Sequence, residues 1–380
     1  MDEFAREKLF PVIRRGMGIE NAGGIPELPV EDVAEILKIA ANQSILPVVC
    51  LGLEKNGIPK SQIGEKYENA RMLALYRSVV REDAIARISK ALDAAGIEYI
   101  FLKGAVLKDF YPETWMRTSF DIDILVKEEK LQNAVDAIEN ATDFKYVKRS
   151  YHDVELRSDR MSLELHFNIK ESMLNIDPLL AEVWSHAVYS GEGMRWKMTP
   201  EFLVFHNVAH MCYHLTHGGL GIRPFVDLWL LRNKTSFDEN ALSAMLRECG
   251  IQMFYEKCCK LSEYWMGFAP EDGTLESLEK YCLSGGVLGT AQGLVVSRQR
   301  EKKGLNYAFS RLFVKREVIE STYPNARGKP LLLPFYYVKR WFRLFDKKTR
   351  KSAMAELDYA GKTNEEELKA YDELLKSVGL

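Results

Sequence analysis

The 380-residue chain is poor in features that mark a compartment or a bulk partner. Its six cysteines include no C-x-x-C pair and fall far short of the density of a disulfide scaffold. Free thiols in a reducing cytoplasm are therefore expected. Long apolar runs are missing too. The longest, "LLLPFYYV" from Leu331, is well below the ~20 residues a bilayer-spanning helix needs. The opening "MDEFAREKLFPVIRRG" lacks the apolar core of a secretory leader, so no membrane partner is expected. Nor does one sign of charge dominate. Lys and Arg total 52 against 54 Asp and Glu, a net charge of −2, which gives no bulk field for nucleic acid. Two local basic runs, "SRQREKK" from Ser297 and "VKRWFRLFDKKTRK" from Val338, read as solvated helix faces. Repeats and low-complexity segments are absent.

What remains is an ordinary folded composition, 47% hydrophobic and 28% charged, long enough for two or three domains. Apolar residues at three- and four-residue spacing predict a helix along "PVEDVAEILKIAANQSILPVVCLGLEKNG". A second follows along "ENARMLALYRSVVREDAIARISKALDAAG", closed by Gly96. The texture then changes. "IEYIFL" and "SFDIDILV" read as strands, with "KGAVLKDFY" between them as a turn opening a short helix. "KLQNAVDAIENAT" predicts a helix, and "KYVKRSYHDVELRS" and "MSLELHFNI" predict two neighbouring strands. After Pro200 the pattern is helical to the end, broken once around "YPNARGKPLLLP". The expected class is α+β: a small mixed sheet within 76–195, flanked by helical regions over 1–75 and 196–380.

Two carboxylates stand in the apolar strand. Residues two apart on a strand share a face, so Asp121 and Asp123 project together while Ile122 and Ile124 face the core. Such a pair repels itself, and burial worsens this, unless a cation neutralises it. A hard divalent ion with oxygen ligands does so; a wet edge strand is the alternative. Context favours the ion. "LKGA" places Gly104 where a strand gives way to a helix, a place for close approach of a phosphate, with Lys103 as a point charge. Glu164 and His166 lie two apart on a later strand, and Glu164 completes a metal cluster if that strand lies beside the first.

The segment "LKGAVLKDFYPETWMRTSFDIDILV" resembles the core motif of the DNA polymerase beta-like nucleotidyltransferase superfamily. Within it, the chain most resembles the bacterial "uncharacterised nucleotidyltransferase" family. The likeness rests on "LKG…YP…R…DIDILV", the later acid-x-His strand, a His-rich helix followed by an Arg…Asp segment, and the "YP…KP-LLP" tail. The resemblance implies a nucleotidyltransferase core that moves a nucleoside monophosphate from a triphosphate to a hydroxyl acceptor and releases pyrophosphate. It implies Asp121, Asp123 and Glu164 as catalytic ligands of two Mg²⁺ ions, with Mn²⁺ as a substitute. Lys103, Gly104, Ala105, Arg117, Ser119 and His166 are the expected nucleotide and phosphate contacts. One departure stands out: the superfamily usually carries serine after the glycine, where this chain has Ala105, and Lys103, Arg117 and Ser119 are candidates for the lost contact. The acceptor, whether small molecule, protein hydroxyl or RNA end, is not readable, nor is the oligomeric state. A non-catalytic binding module on a degenerate transferase core, of the antitoxin kind, is the competing reading. A metal-dependent phosphohydrolase is a third.

Four of the seven histidines fall in "HNVAHMCYHLTH". His206, His210 and His214 form one helical stripe. Three readings compete: zinc binding, lining of the nucleotide cleft (His210 and His214 above all), or a helix–helix seam. H-E-x-x-H is absent, which argues against a zinc protease. In "GGLGIRPFVDLWLL", Arg223 is a phosphate candidate, with Asp227 four residues on either orienting it or simply paired with it.

Overall fold

The computed structural model describes residues 2–19, 27–285, 314, 316, 319–320, 323–326, 328–342 and 365–380. The basic run from Ser297 lies outside them, as does most of the run from Val338.

Seven strands form one mixed sheet: β1 Tyr99–Phe101, β2 Asp121–Val126, β3 Lys145–Arg149, β4 Asp153–Arg157, β5 Ser162–His166, β6 Ala187–Tyr189 and β7 Arg195–Met198. Their order is β3-β4-β5-β2-β1-β7-β6. The short β1 runs antiparallel to β2 and parallel to β7, while β2 runs parallel to β5. The α+β expectation holds. Three details differ. The segment read as one strand from Lys145 is a hairpin, because the chain reverses at Ser150, whose N–H donates to Asp153 O at 2.8 Å. β6 and β7 are too short to show a period and were not foreseen. The helix read over 29–57 is two, Val30–Asn42 and Leu46–Lys55. Ser44 sits at φ 54° between them, and Pro47 occupies the first turn of the second, where its missing N–H costs nothing.

The period-two pattern of β2 decides what each sheet face does. Ile122, Ile124 and Val126 pack with Leu163 and Leu165 of β5. Ala84, Ile88 and Leu92 of the long helix Glu65–Ala94 and Ala134, Val135 and Ile138 of helix Leu131–Ala141 close that side. On the opposite face Leu125, Ile100 and Leu102 join a larger core built with helices Pro200–Thr216, Ile222–Lys234 and Gln252–Met266. Asp121 and Asp123 lie on this second face, where the sheet meets the histidine-bearing helix across a cleft.

Candidate active site

The parallel pairing of β2 with β5 sets Asp123 directly opposite Glu164. β4 follows antiparallel, with Asp153 opposite His166. Three strands thus carry their acidic and histidine side chains onto one face.

The turn after β1 is tied to the same place. Leu102 N–H donates to Asp123 O at 3.0 Å, so the chain stays against β2 to the end of the strand. Lys103 then adopts φ 43° and ψ −118°, a strained conformation for a residue with a side chain, at a cost of about 1–3 kcal/mol. Its Nζ donates to Asp123 Oδ1 at 2.9 Å. Gly104 follows at the head of helix Gly104–Leu107, with Ala105 buried behind it. A Cβ on Gly104 would stand 2.7 Å from Ser119 Oγ, so the glycine lets the Ser119 loop close against the turn. Ser119 Oγ in turn donates to Asp121 Oδ1 at 2.8 Å.

The carboxylates differ in their surroundings. Asp123 is 2% exposed; burial pushes its carboxyl up, but Lys103 and His166 together hold it below the usual carboxylate range. His166 Nε2 lies 3.0 Å from Asp123 Oδ1. Since Asp123 is ionised, Nε2 carries the proton and donates. Asp121 is raised, first by burial and then by Asp123, with Glu164 adding to it. Glu164 is partly open, its side chain 33% exposed. Donor atoms of Asp123, Glu164 and His166 lie within 4.8 Å of one another, a group able to hold a metal. Asp121 stands next to that group, bound to Ser119.

The cleft, about 270 Å³, is lined on the sheet side by Lys103, Gly104, Ser119, Asp121 and Asp123. Across it stand His206, His210, His214, Arg223 and Asp227. The histidine stripe therefore faces the aspartate pair, and it contributes to no three-residue metal group among the described residues. Burial lowers His206 and His214 to about 3, so both are neutral. His210 Nδ1 donates to Glu171 Oε1 at 2.7 Å, and His214 Nε2 meets His210 Nε2 at 3.0 Å with one proton between them. Glu171 was missed in the sequence. It lies in the loop after β5, with no periodicity to mark it, and against the burial penalty His210 brings it down to about 2.

Arg223 and Asp227 do not pair with each other. Asp227 accepts from Arg117 Nε at 2.8 and 3.1 Å and from Tyr111 Oη at 2.8 Å. Arg117, 6% exposed, is not a solvated loop residue; its Nη1 also donates to Thr118 O, and Arg81 Nη1 donates to Arg117 O. Among the described residues Arg223 donates only a long bond, 3.4 Å, to Thr118 O, and its Nε has no partner. Burial, and then Arg117, lowers it to about 10. Among the described residues no carboxylate forms an ion pair with this desolvated guanidinium, a setting suited to an anion.

A family model described as "Uncharacterised nucleotidyltransferase" matches residues 29–267. The chain belongs to this family. It is thus a transferase of phosphorus-containing groups, and the matched stretch of this nucleotidyltransferase carries every residue of the cleft. The match ends short of the Tyr323–Pro334 tail. No individual curated protein matches the chain.

Proposed function

We propose that this nucleotidyltransferase is Mg²⁺-dependent and moves a nucleoside monophosphate from a triphosphate to a hydroxyl acceptor, releasing pyrophosphate. The observation that carries this reading is the register that sets Glu164 opposite Asp123, with Asp121 on the same face. The donor set fits the metal. Asp121, Asp123 and Glu164 share one sheet face, Asp121 is raised by burial and then by the charge on Asp123, and Lys103 Nζ already sits as a cation on Asp123. When bound, Mg²⁺ would stabilise the attacking and leaving oxygens of the transfer.

The chain's own residues supply position and charge. Asp121 and Asp123 hold the metal end of the triphosphate. Lys103, released from Asp123, and Arg223, in no ion pair among the described residues, meet phosphate oxygens. Ser119, closed on Gly104, stands in for the serine that Ala105 replaces. Glu164, its side chain 33% exposed, faces the acceptor hydroxyl and takes its proton as the new O–P bond forms and pyrophosphate departs. Arg117 is structural, holding Asp227. In this reading the cytoplasm is the compartment, and all six cysteines are free and buried. Among the described residues no helix is long and apolar enough to cross a membrane.

Calorimetry with ATP, GTP, CTP and UTP, with and without Mg²⁺, tests it. The expected result is binding of at least one nucleotide that requires the metal. Silence for all four would favour a binding module on a transferase core instead.

A further inference from the structure

His166 has a second ring edge that the nucleotidyl-transfer reading does not use. Its Nε2–H is given to Asp123, while its Nδ1 is buried without a hydrogen-bond partner on a residue only 2% exposed. A buried polar atom left unpaired is costly, so an orphan at this depth calls for a partner. The register brings one close. Asp153 of β4 lies directly opposite His166 of β5, and Asp153 is itself 8% exposed. His152, the preceding residue, places Nε2 at 3.1 Å from Asp153 Oδ2 and leaves its own Nδ1 buried and unpaired. Donor atoms of His152, Asp153 and His166 all lie within 4.8 Å of one another.

We propose that His152, Asp153 and His166 form a second cation site, which uses the other ring nitrogen of the His166 shared with the Asp123–Glu164 group and is specific for a zinc-class divalent metal. The donor chemistry sets the class. Two imidazoles and one carboxylate suit Zn²⁺ or Co²⁺, whereas Mg²⁺ prefers oxygen alone. Three protein ligands leave a fourth position for solvent. Metal-bound histidines commonly donate their other ring N–H to a carboxylate, and Asp123 already accepts that bond from His166. The orphan Nδ1 is thus the lone pair such a site requires. The His152 and His166 rings lie nearly parallel, 20° apart with centroids at 5.3 Å. Sharing one ion therefore needs the His152 ring to turn. Its side chain is 27% exposed, and its Nδ1 gives up no bond in doing so. That exposure also supplies an entry path. A metal here would pin the His166 ring and keep its Nε2–H on Asp123, coupling this site to the cleft. The inference does not depend on nucleotide transfer.

The test uses full-length protein stripped with a chelator, then titrated with Zn²⁺ alone by calorimetry and with Co²⁺ alone by visible absorption. The expected result is one saturable equivalent per chain, with the Co²⁺ bands of a low-coordinate site. His152→Gln and Asp153→Asn lose it, while Glu164→Gln keeps it. Circular dichroism of the metal-free variants, unchanged from wild type, shows that the loss is not unfolding. Loss in Glu164→Gln with retention in His152→Gln would place the ion at the carboxylate cluster and overturn the proposal. So would weak uptake of several ions with no saturable equivalent.

Discussion

Burial alone would raise the Asp123 carboxyl, yet Lys103 and His166 keep it ionised, whereas Asp121 is raised. Two carboxylates on one strand are thereby made unequal before any ligand arrives: one is already compensated, and the other still lacks a cation. The histidines opposite follow the reverse logic. His206 is 4% exposed and lowered to about 3, so it is buried neutral. In the unfolded chain it would take up a proton near pH 6.5, and the folded protein refuses that proton until about pH 3. Between these values the unfolded state binds more protons, so stability falls as pH falls through this window. At pH 5 the contribution is roughly 2 kcal/mol against folding. His206→Gln should therefore lose less Tm than wild type between pH 7 and pH 5. Equal losses in a thermal melt at the two pH values would show that His206 is not buried neutral.

At the scale of elements, the turn from β1 into helix Gly104–Leu107 is the most tightly specified piece of the site. Ser119 Oγ would lie 2.7 Å from any Cβ at position 104. Gly104→Ala should push the Ser119 loop away and break its bond to Asp121, weakening Mg²⁺-nucleotide binding by about tenfold, or ~1.4 kcal/mol. Calorimetry would show it, and unchanged affinity would mean that the Ser119 contact has no part in binding. Much of this was legible in the sequence because strands alternate: the "DIDILV" pattern gave β2, the shared face of Asp121 and Asp123, and the core role of Ile122 and Ile124. The acid-x-His strand was legible for the same reason. Its pairing with β2 was not, since the register joins residues such as Asp123 and Glu164 across 40 intervening positions that no local pattern encodes. The Arg117–Asp227 bond lies 110 positions apart and was hidden behind the nearer Arg223–Asp227 spacing. Helix spacing predicts who can meet, but the buried loop arginine won the contest for Asp227.

For the whole molecule, that same ion pair is a tie between the sheet and the helices after Pro200. Arg117 leads into β2, Asp227 lies on helix Ile222–Lys234, and both side chains are nearly inaccessible, at 7% and 3%. Tyr111 Oη adds a third member. The two halves of the cleft are held at a fixed spacing by this cluster. Asp227→Asn leaves a buried guanidinium uncompensated, and urea unfolding should register a loss of about 3–5 kcal/mol. A loss under ~1 kcal/mol would mean that water reaches Arg117 and that the tie is weak.

The central claim is that Asp121, Asp123 and Glu164 act together to transfer a nucleotide. Mass spectrometry of candidate acceptors, incubated with labelled nucleoside triphosphates and Mg²⁺, tests it most directly. Wild-type protein is predicted to add one nucleoside monophosphate to an acceptor. Asp123→Asn and Glu164→Gln, folded by circular dichroism, are predicted to add none. Transfer at the wild-type rate by either variant would contradict the account.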